Sequence, residues 1–229
     1  MNEIILDKIR FSIEIQSLAK TANLKHNSKA FYDLKRLVNE ALKIGKPKAI
    51  YKVLFIEDRT EDSISVDGIV LKSRVLSVNL NKTYRVFPFV ATSGRELGIW
   101  ANSIDDMLRQ YWADMLNEHA LRLAINAVTE NLSKKYRLGE VSIMSPGSIE
   151  DWPIEEQREL FSIFGDTGNS IGVDLTENCL MIPLKSISGI VFPAEERFES
   201  CKLCSRENCP VRRVPYDSAL FERKYKFKN

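Results

Sequence analysis

Long apolar runs, charge of one sign and low-complexity linkers are all absent from this sequence of 229 residues. No window approaches the apolar length that a membrane span needs. Thirty-three basic and 31 acidic residues leave a net charge of +2, which is too balanced to indicate a nucleic-acid or membrane-binding surface. P-loop, dinucleotide-glycine and Ser-His-Asp motifs are missing too, which disfavours nucleotide-dependent and hydrolytic enzymes. Acidic residues interrupt the first fifteen residues, which predicts no signal peptide and a cytoplasmic protein.

Cysteine is scarce, and three of the four cysteines fall in the segment SCKLCSRENCPVRR. Clustered cysteines in a chain expected to be cytoplasmic indicate metal or redox chemistry rather than a disulfide framework. Cys201, Cys204 and Cys209 have the spacing C-x-x-C-x-x-x-x-C, and thiolates favour zinc, copper(I) or iron–sulfur clusters. Three thiolates are one short of a closed tetrahedral site. The fourth ligand would come from Cys179, a second protein, water or a substrate. Alternatively, an iron–sulfur cluster would have one iron without a cysteine ligand. Cys179 lies in an apolar run and is predicted to be a core residue.

The composition, with 44% hydrophobic and 28% charged residues, is that of a globular protein. Residues 30–44 have the apolar spacing of a helix, and residues 49–56 are rich in strand formers. Asp67-Gly68 between two short apolar runs predicts a hairpin. Residues 73–80 are ambiguous between helix and strand. The composition of residues 84–91 predicts a strand. Pro88 within that segment indicates that the strand lies at a sheet edge or is bulged.

The longest predicted element is a helix that begins at Ser103, with Asp106 three residues later in a capping-box-like arrangement, and extends to about Ser133. Its predicted apolar stripe consists of Ile104, Leu108, Tyr111, Met115, Leu121, Ile125, Val128 and Leu132. Strands and helices alternate without a βαβ rhythm, which favours an α+β fold with a largely antiparallel sheet packed on this helix and on shorter flanking helices.

The region most informative about function is residues 144–193. It begins with the turn Ser145-Pro146-Gly147-Ser148, followed by a short helix expected to start near Asp151 and Pro153. Two extended apolar pieces come next, around residues 175–183 and 186–192. A loop that presents backbone N–H groups beside a helix N-terminus is able to hold a polar ligand, while the alternative is a turn and cap without a ligand.

The motifs in this region have a particular order: Pro-Gly, Asp-Trp-Pro, Glu-Glu-Gln, Leu-Phe-Ser-Ile-Phe, Leu-Thr-Glu-Asn-Cys-Leu-Met-Ile-Pro and Lys-Ser-Ile-Ser-Gly. That order resembles the activation domain of cobalamin-dependent methionine synthase, also called its S-adenosylmethionine-binding domain. The resemblance is strongest over residues 145–192 and looser over residues 87–132. It implies a twisted antiparallel sheet with flanking helices. In that family the domain binds S-adenosylmethionine and caps the cobalamin domain while oxidised cofactor is reduced and remethylated.

Two departures from the family pattern concern the ligand. The family turn is Arg-x-x-x-Gly-Tyr, in which the arginine grips the ligand carboxylate, and the matching positions here are Ile143 and Ser148. A second family tyrosine falls on Val191. Losing the arginine removes a charge-assisted contact of roughly 1.5–3 kcal/mol. The resemblance therefore supports the fold more strongly than the ligand.

The resemblance implies an accessory protein of corrinoid metabolism, which aids reductive reactivation or remethylation of cobalamin on a partner corrinoid-binding protein or methyltransferase. The alternative is a metal or iron–sulfur electron-transfer module on the same fold that does not bind S-adenosylmethionine, and a third reading is a docking domain only. The residues expected at an S-adenosylmethionine site are Ser145, Pro146, Gly147, Ser148, Asp151 and Glu177. Those expected to hold zinc or an iron–sulfur cluster are Cys201, Cys204 and Cys209.

The chain is expected to divide into an N-terminal α/β part (1–92), an activation domain-like core (93–199) and a cysteine-containing tail (200–229), with one shared core.

Overall fold

The computed structural model describes residues 3–226. The first half of the chain forms, in order, β1 (Ile4–Leu6), α1 (Ile15–Thr21), α2 (Lys29–Ile44), β2 (Lys48–Tyr51), β3 (Leu54–Arg59), β4 (Ser63–Val66), β5 (Ile69–Lys72), α3 (Arg74–Asn79) and β6 (Arg85–Thr92). The second half forms α4 (Arg95–Asn102), α5 (Met107–Tyr136), β7 (Val141–Met144), α6 (Gln157–Ser162), α7 (Thr167–Ile171), β8 (Asp174–Leu175), β9 (Met181–Ile182) and β10 (Ser186–Pro193). This confirms the predicted α+β class.

The main sheet is antiparallel and is organised around β6. One edge of β6 pairs with β2 and then with β3, and its other edge pairs with β10. β1 extends the sheet beyond β2, β4 and β5 extend it beyond β3, and β7 pairs with β10. The Asp67-Gly68 hairpin joins β4 to β5 with positive φ at both residues, as predicted. β8 and β9 form a separate two-stranded hairpin.

The predicted edge position of Pro88 is wrong, because β6 is the central strand and pairs on both sides of it. The Pro88 carbonyl accepts a hydrogen bond from Lys52 N at 3.0 Å, in the link between β2 and β3. In an antiparallel strand the nitrogen and carbonyl of one residue face the same edge. The missing N–H of Pro88 therefore faces the gap where β2 has ended and β3 has not begun.

Each face of the main sheet has its own apolar core. On one face, Phe87 and Phe89 of β6 and Val191 of β10 pack against the second half of α5. On the other face, strand residues such as Ile190 pack against α3, α6 and α7, together with Trp152. A third cluster joins α1, α2 and α4 to the first half of α5.

Helix α5 begins later than predicted and buries a different stripe in its first half. Asp106 is the N-cap and accepts from Arg109 N at 2.8 Å, so Ser103 does not start this helix. Leu108 and Tyr111 are 53% and 56% exposed. Its buried residues are Trp112, Ala113, Leu116, Asn117, Ala120, Leu121, Ala124, Val128 and Leu132.

Residues 200–226 pack on the face of the main sheet that contacts α3, α6 and α7. Leu203 and Leu220 contact the core on that face, and the Tyr225 hydroxyl donates to Asn79 Oδ1 at 3.1 Å. The division into residues 1–92, 93–199 and 200–229 stays a prediction, and residues 1, 2 and 227–229 of those parts lie outside the described residues. Within residues 3–226, no helix combines the length and apolarity required to span a bilayer.

Candidate functional site

The turn at residues 145–148 follows directly from β7 and closes on itself. Ser148 N donates to Ser145 O at 3.2 Å, and the Ser148 hydroxyl donates to the same oxygen at 2.6 Å. Gly147 N donates to Trp152 O at 2.7 Å, and Gly147 has a φ of 77°. Pro146 carries no N–H. The N–H groups of residues 146–148 are therefore absent or already bonded within the turn, which leaves chiefly carbonyl oxygens for a ligand.

The turn is fixed to β10 by a close backbone approach. A Cβ on Gly189 would collide with Met144 O and would lie 2.7 Å from Ser145 Oγ, so only glycine fits there. Met144 is opposite Ile190 in the β7–β10 register, and both belong to the core cluster that contains Ile149 and Trp152. The Pro-Gly turn and the Trp152 segment thus lie beside the strand that the sequence places after them.

Asp151 caps a helix other than the one that follows it. Its carboxylate accepts from the Ser73 hydroxyl and, at 2.9 Å, from Val75 N. Ser73 is the N-cap of α3 and accepts from Leu76 N at 2.9 Å. Asp151 therefore ties the turn region to the N-terminus of α3, where a negative charge is favourable. No sequence signal links Asp151 with Ser73, because 78 residues separate them.

Replacing Asp151 by alanine is expected to lower the free energy of unfolding by about 1–2 kcal/mol, because two donors at the start of α3 lose their acceptor. Chemical denaturation measures this loss. The matched control is Glu150→Ala, since Glu150 is the exposed neighbour and a change there should stay within about 0.5 kcal/mol. A capping role is contradicted if the two variants are equally stable.

Glu177 lies in the loop between β8 and β9. It is exposed, and its backbone oxygen accepts from the Arg158 guanidinium. Its side chain is on the surface near α6.

Cys179, two residues further on, is buried, as the sequence predicts, and forms no disulfide.

The three tail cysteines lie in a loop that begins with a 3₁₀ turn at Ser200–Lys202, and each is unbridged and partly buried. Within residues 3–226, no three His, Cys, Asp or Glu side chains are grouped as they would be around a metal ion. The sequence did not reveal the role of Arg212, whose guanidinium donates to the backbone oxygens of Cys201, Cys204 and Arg206.

The chain matches a known protein by structure and not by sequence. No family model matches the chain, and no curated protein matches it. A solved structure described as the crystal structure of the MetH reactivation domain bound to AdoHcy matches with a TM-score of 0.66. The match covers 86% of this chain and 80% of that chain, at 15% sequence identity.

The fold is that of the MetH reactivation domain. The relationship suspected from the order of the sequence motifs is confirmed at the level of the fold.

On this reactivation-domain fold, two of the positions that depart from the family motif lie side by side. Ile143 on β7 is directly opposite Val191 on β10, which is opposite Phe87 on β6. Residues opposite each other in an antiparallel sheet share a face, and all three belong to the core under α5. Where the family motif has arginine and tyrosine, this chain therefore has a partly buried isoleucine and a buried valine, neither of which carries a charge for a carboxylate.

Proposed function

We propose that this chain is an accessory protein of corrinoid metabolism, acting in the cytoplasm, that docks on a corrinoid-binding protein or methyltransferase and aids reductive reactivation or remethylation of its cobalamin. The observation that supports the proposal is the likeness to the MetH reactivation domain over 86% of the chain. At 15% sequence identity this likeness establishes the fold, and the role is inferred from it.

In this proposal the methyl donor is S-adenosylmethionine, of which the neighbour's AdoHcy is the demethylated form. The ligand lies beside the turn Ser145-Pro146-Gly147-Ser148, with Glu177 as its exposed polar contact. Transfer of a methyl group from a sulfonium to cob(I)alamin needs no side-chain acid or base. The protein contributes proximity and orientation, which are worth several kcal/mol. Asp151 contributes indirectly, because its carboxylate already holds α3.

Calorimetric titration with S-adenosylmethionine and AdoHcy tests this ligand. Saturable heat is expected at millimolar concentration, and Glu177→Ala should weaken it while Glu150→Ala, at another exposed acid, should not. The affinity should be about 10- to 100-fold below that of a domain with the family arginine, since a charge-assisted contact of about 1.5–3 kcal/mol is missing. No heat at millimolar ligand contradicts the methyl-donor role.

A second candidate function is favoured by the apolar Ile143–Val191 pair. In it the same fold docks on the corrinoid protein without S-adenosylmethionine and serves electron transfer or metal binding through Cys201, Cys204 and Cys209. A silent titration together with binding to a corrinoid protein supports this second function.

A further inference from the structure

Arg85 contacts two aromatic rings and has no acceptor for its hydrogen-bond donors. It lies on β6 two residues before Phe87, so the two side chains share the sheet face that packs against α5. Its guanidinium carbon is 5.5 Å from the centroid of the Phe87 ring and 5.0 Å from that of Tyr136, the last residue of α5. Among residues 3–226, no oxygen accepts a hydrogen bond from this guanidinium and no carboxylate pairs with it.

The other partly buried arginines of residues 3–226 differ from Arg85 in this respect. Arg59, Arg74 and Arg212 each donate at least two hydrogen bonds to backbone oxygens. A guanidinium stacks through its flat faces and donates hydrogen bonds in its plane. Because Arg85 is only partly buried and its contacts are with rings, its in-plane N–H groups stay available to water or to a ligand.

A second cation lies at the same ring. Lys135 Nζ is 5.5 Å from the centroid of Tyr136, and no described residue forms an ion pair or a hydrogen bond with its ammonium group. The nearby Glu130 is instead paired with Lys134, at 3.7 Å. The negative end of the α5 dipole stabilises cations here by a fraction of their repulsion. An anion bound at Arg85 and Lys135 would remove that repulsion.

An exposed aromatic ring lies directly beside Arg85. Phe55 on β3 is opposite Arg85 in the β3–β6 register, so the two side chains share a face. Phe55 is 53% exposed, whereas Phe87 on the same face is fully buried. An exposed ring is able to stack on a flat apolar group. Arg85 is already ordered by its ring contacts, which lowers the entropy cost of binding.

We propose that Arg85 and Lys135 bind the oxyanion of a small molecule, a carboxylate or a phosphate, whose flat apolar part lies on Phe55. A guanidinium matches either group through two parallel N–H···O bonds. The site is level with the start of β7, whereas the turn at residues 145–148 follows its end. The inference therefore goes beyond the proposed corrinoid role and does not depend on it.

NMR titration with phenyl phosphate and with benzoate tests the inference, and phenol is the uncharged control. Saturable binding is expected for at least one charged probe, and the tighter of the two identifies the group that the site prefers. Arg85→Gln should weaken binding by about 10- to 100-fold, because a charge-assisted contact is lost. Arg137→Gln removes an exposed cation at the same end of α5 and should have little effect. Equal affinity in these two variants overturns the inference, as does the absence of saturable binding by both charged probes.

A second pair of variants lies on the exposed surface of α5, where folding is not at risk. Lys135→Gln should weaken binding of the charged probe, while Lys134→Gln, at the exposed cation paired with Glu130, should not. Phe55→Ser should weaken binding of phenyl phosphate and leave that of inorganic phosphate unchanged. Equal affinity in Lys135→Gln and Lys134→Gln overturns the assignment of Lys135, and wild-type affinity for phenyl phosphate in Phe55→Ser overturns that of Phe55.

Discussion

Replacing Trp152 by alanine is expected to lower the free energy of unfolding by about 3–5 kcal/mol, the range for large buried aromatic side chains. Trp152 is fully buried and comes first by volume among the fully buried side chains of residues 3–226. It packs in the cluster that joins β7 and β10 to α3 and α6. Alanine would leave a cavity where the turn at residues 145–148 meets the sheet. Equilibrium unfolding in guanidinium chloride, followed by far-UV circular dichroism, measures the loss.

A phenylalanine at position 152 separates volume from hydrogen bonding. Trp152 Nε1 is buried and has no hydrogen-bond partner among residues 3–226, so Trp152→Phe removes an unsatisfied donor as well as some volume. Its cost should be smaller than that of Trp152→Ala. Met107→Ala is the control, because Met107 is 84% exposed and should stay within about 0.5 kcal/mol. A loss for Trp152→Ala no larger than that of Met107→Ala would contradict the packing described here.

Replacing Gly189 by valine is expected to destabilise the protein by about 3 kcal/mol, at the upper end of the range for overpacked sites. The first side-chain carbon would collide with Met144 O, a backbone atom of β7, and would approach Ser145 Oγ to 2.7 Å. Since backbone cannot move aside as a flexible side chain does, β7 and its turn must shift away from β10. Thermal and chemical denaturation measure the effect.

Gly139→Val is the matched control for Gly189, because no heavy atom lies within 4 Å of a Cβ built at Gly139. That variant should remain close to the wild type. If Gly189→Val is as stable as Gly139→Val, then β7 does not approach β10 as described and the position of the candidate turn is wrong.

Patterns within a single stretch of sequence predicted several elements correctly. The Asp67-Gly68 hairpin and helix α2 appear where turn chemistry and apolar spacing place them. Residues 73–80, ambiguous in sequence, form α3, because the Ser73 side chain caps its first turn and Asp151 caps it again from far along the chain. That second cap is a tertiary contact, so no local pattern could decide the element.

Long-range packing explains the wrong predictions. Pro88 is tolerated in a central strand because its missing N–H faces the two-residue interruption between β2 and β3, which keep one register along that edge of β6. A rule that confines proline to edge strands does not foresee such an interruption. The buried stripe of α5 differs from the predicted one because the elements that pack against the helix change along its length. Trp112 and Ala120 face α2 and α4, whereas Val128 faces the sheet. Small alanines fill much of the buried face, and a pattern of large apolar residues overlooks them.

The placement of the candidate turn was predictable in part. The order of motifs placed the turn, Trp152 and β10 together, and the register confirms that Met144 and Ile190 are opposite each other. The spacing of the cysteines gave no hint that Arg212 gathers their backbones, because that arrangement depends on a folded loop.

The most direct test of the proposed role is the rate at which a corrinoid is remethylated. The probe is the cobalamin-binding fragment of a methionine synthase that lacks its own reactivation domain, loaded with cob(II)alamin and supplied with a one-electron reductant and S-adenosylmethionine. Conversion to methylcob(III)alamin is followed in the visible spectrum. The rate is expected to rise with the concentration of this protein and to saturate. An unchanged rate at every protein concentration, with no binding to the loaded fragment, would contradict it.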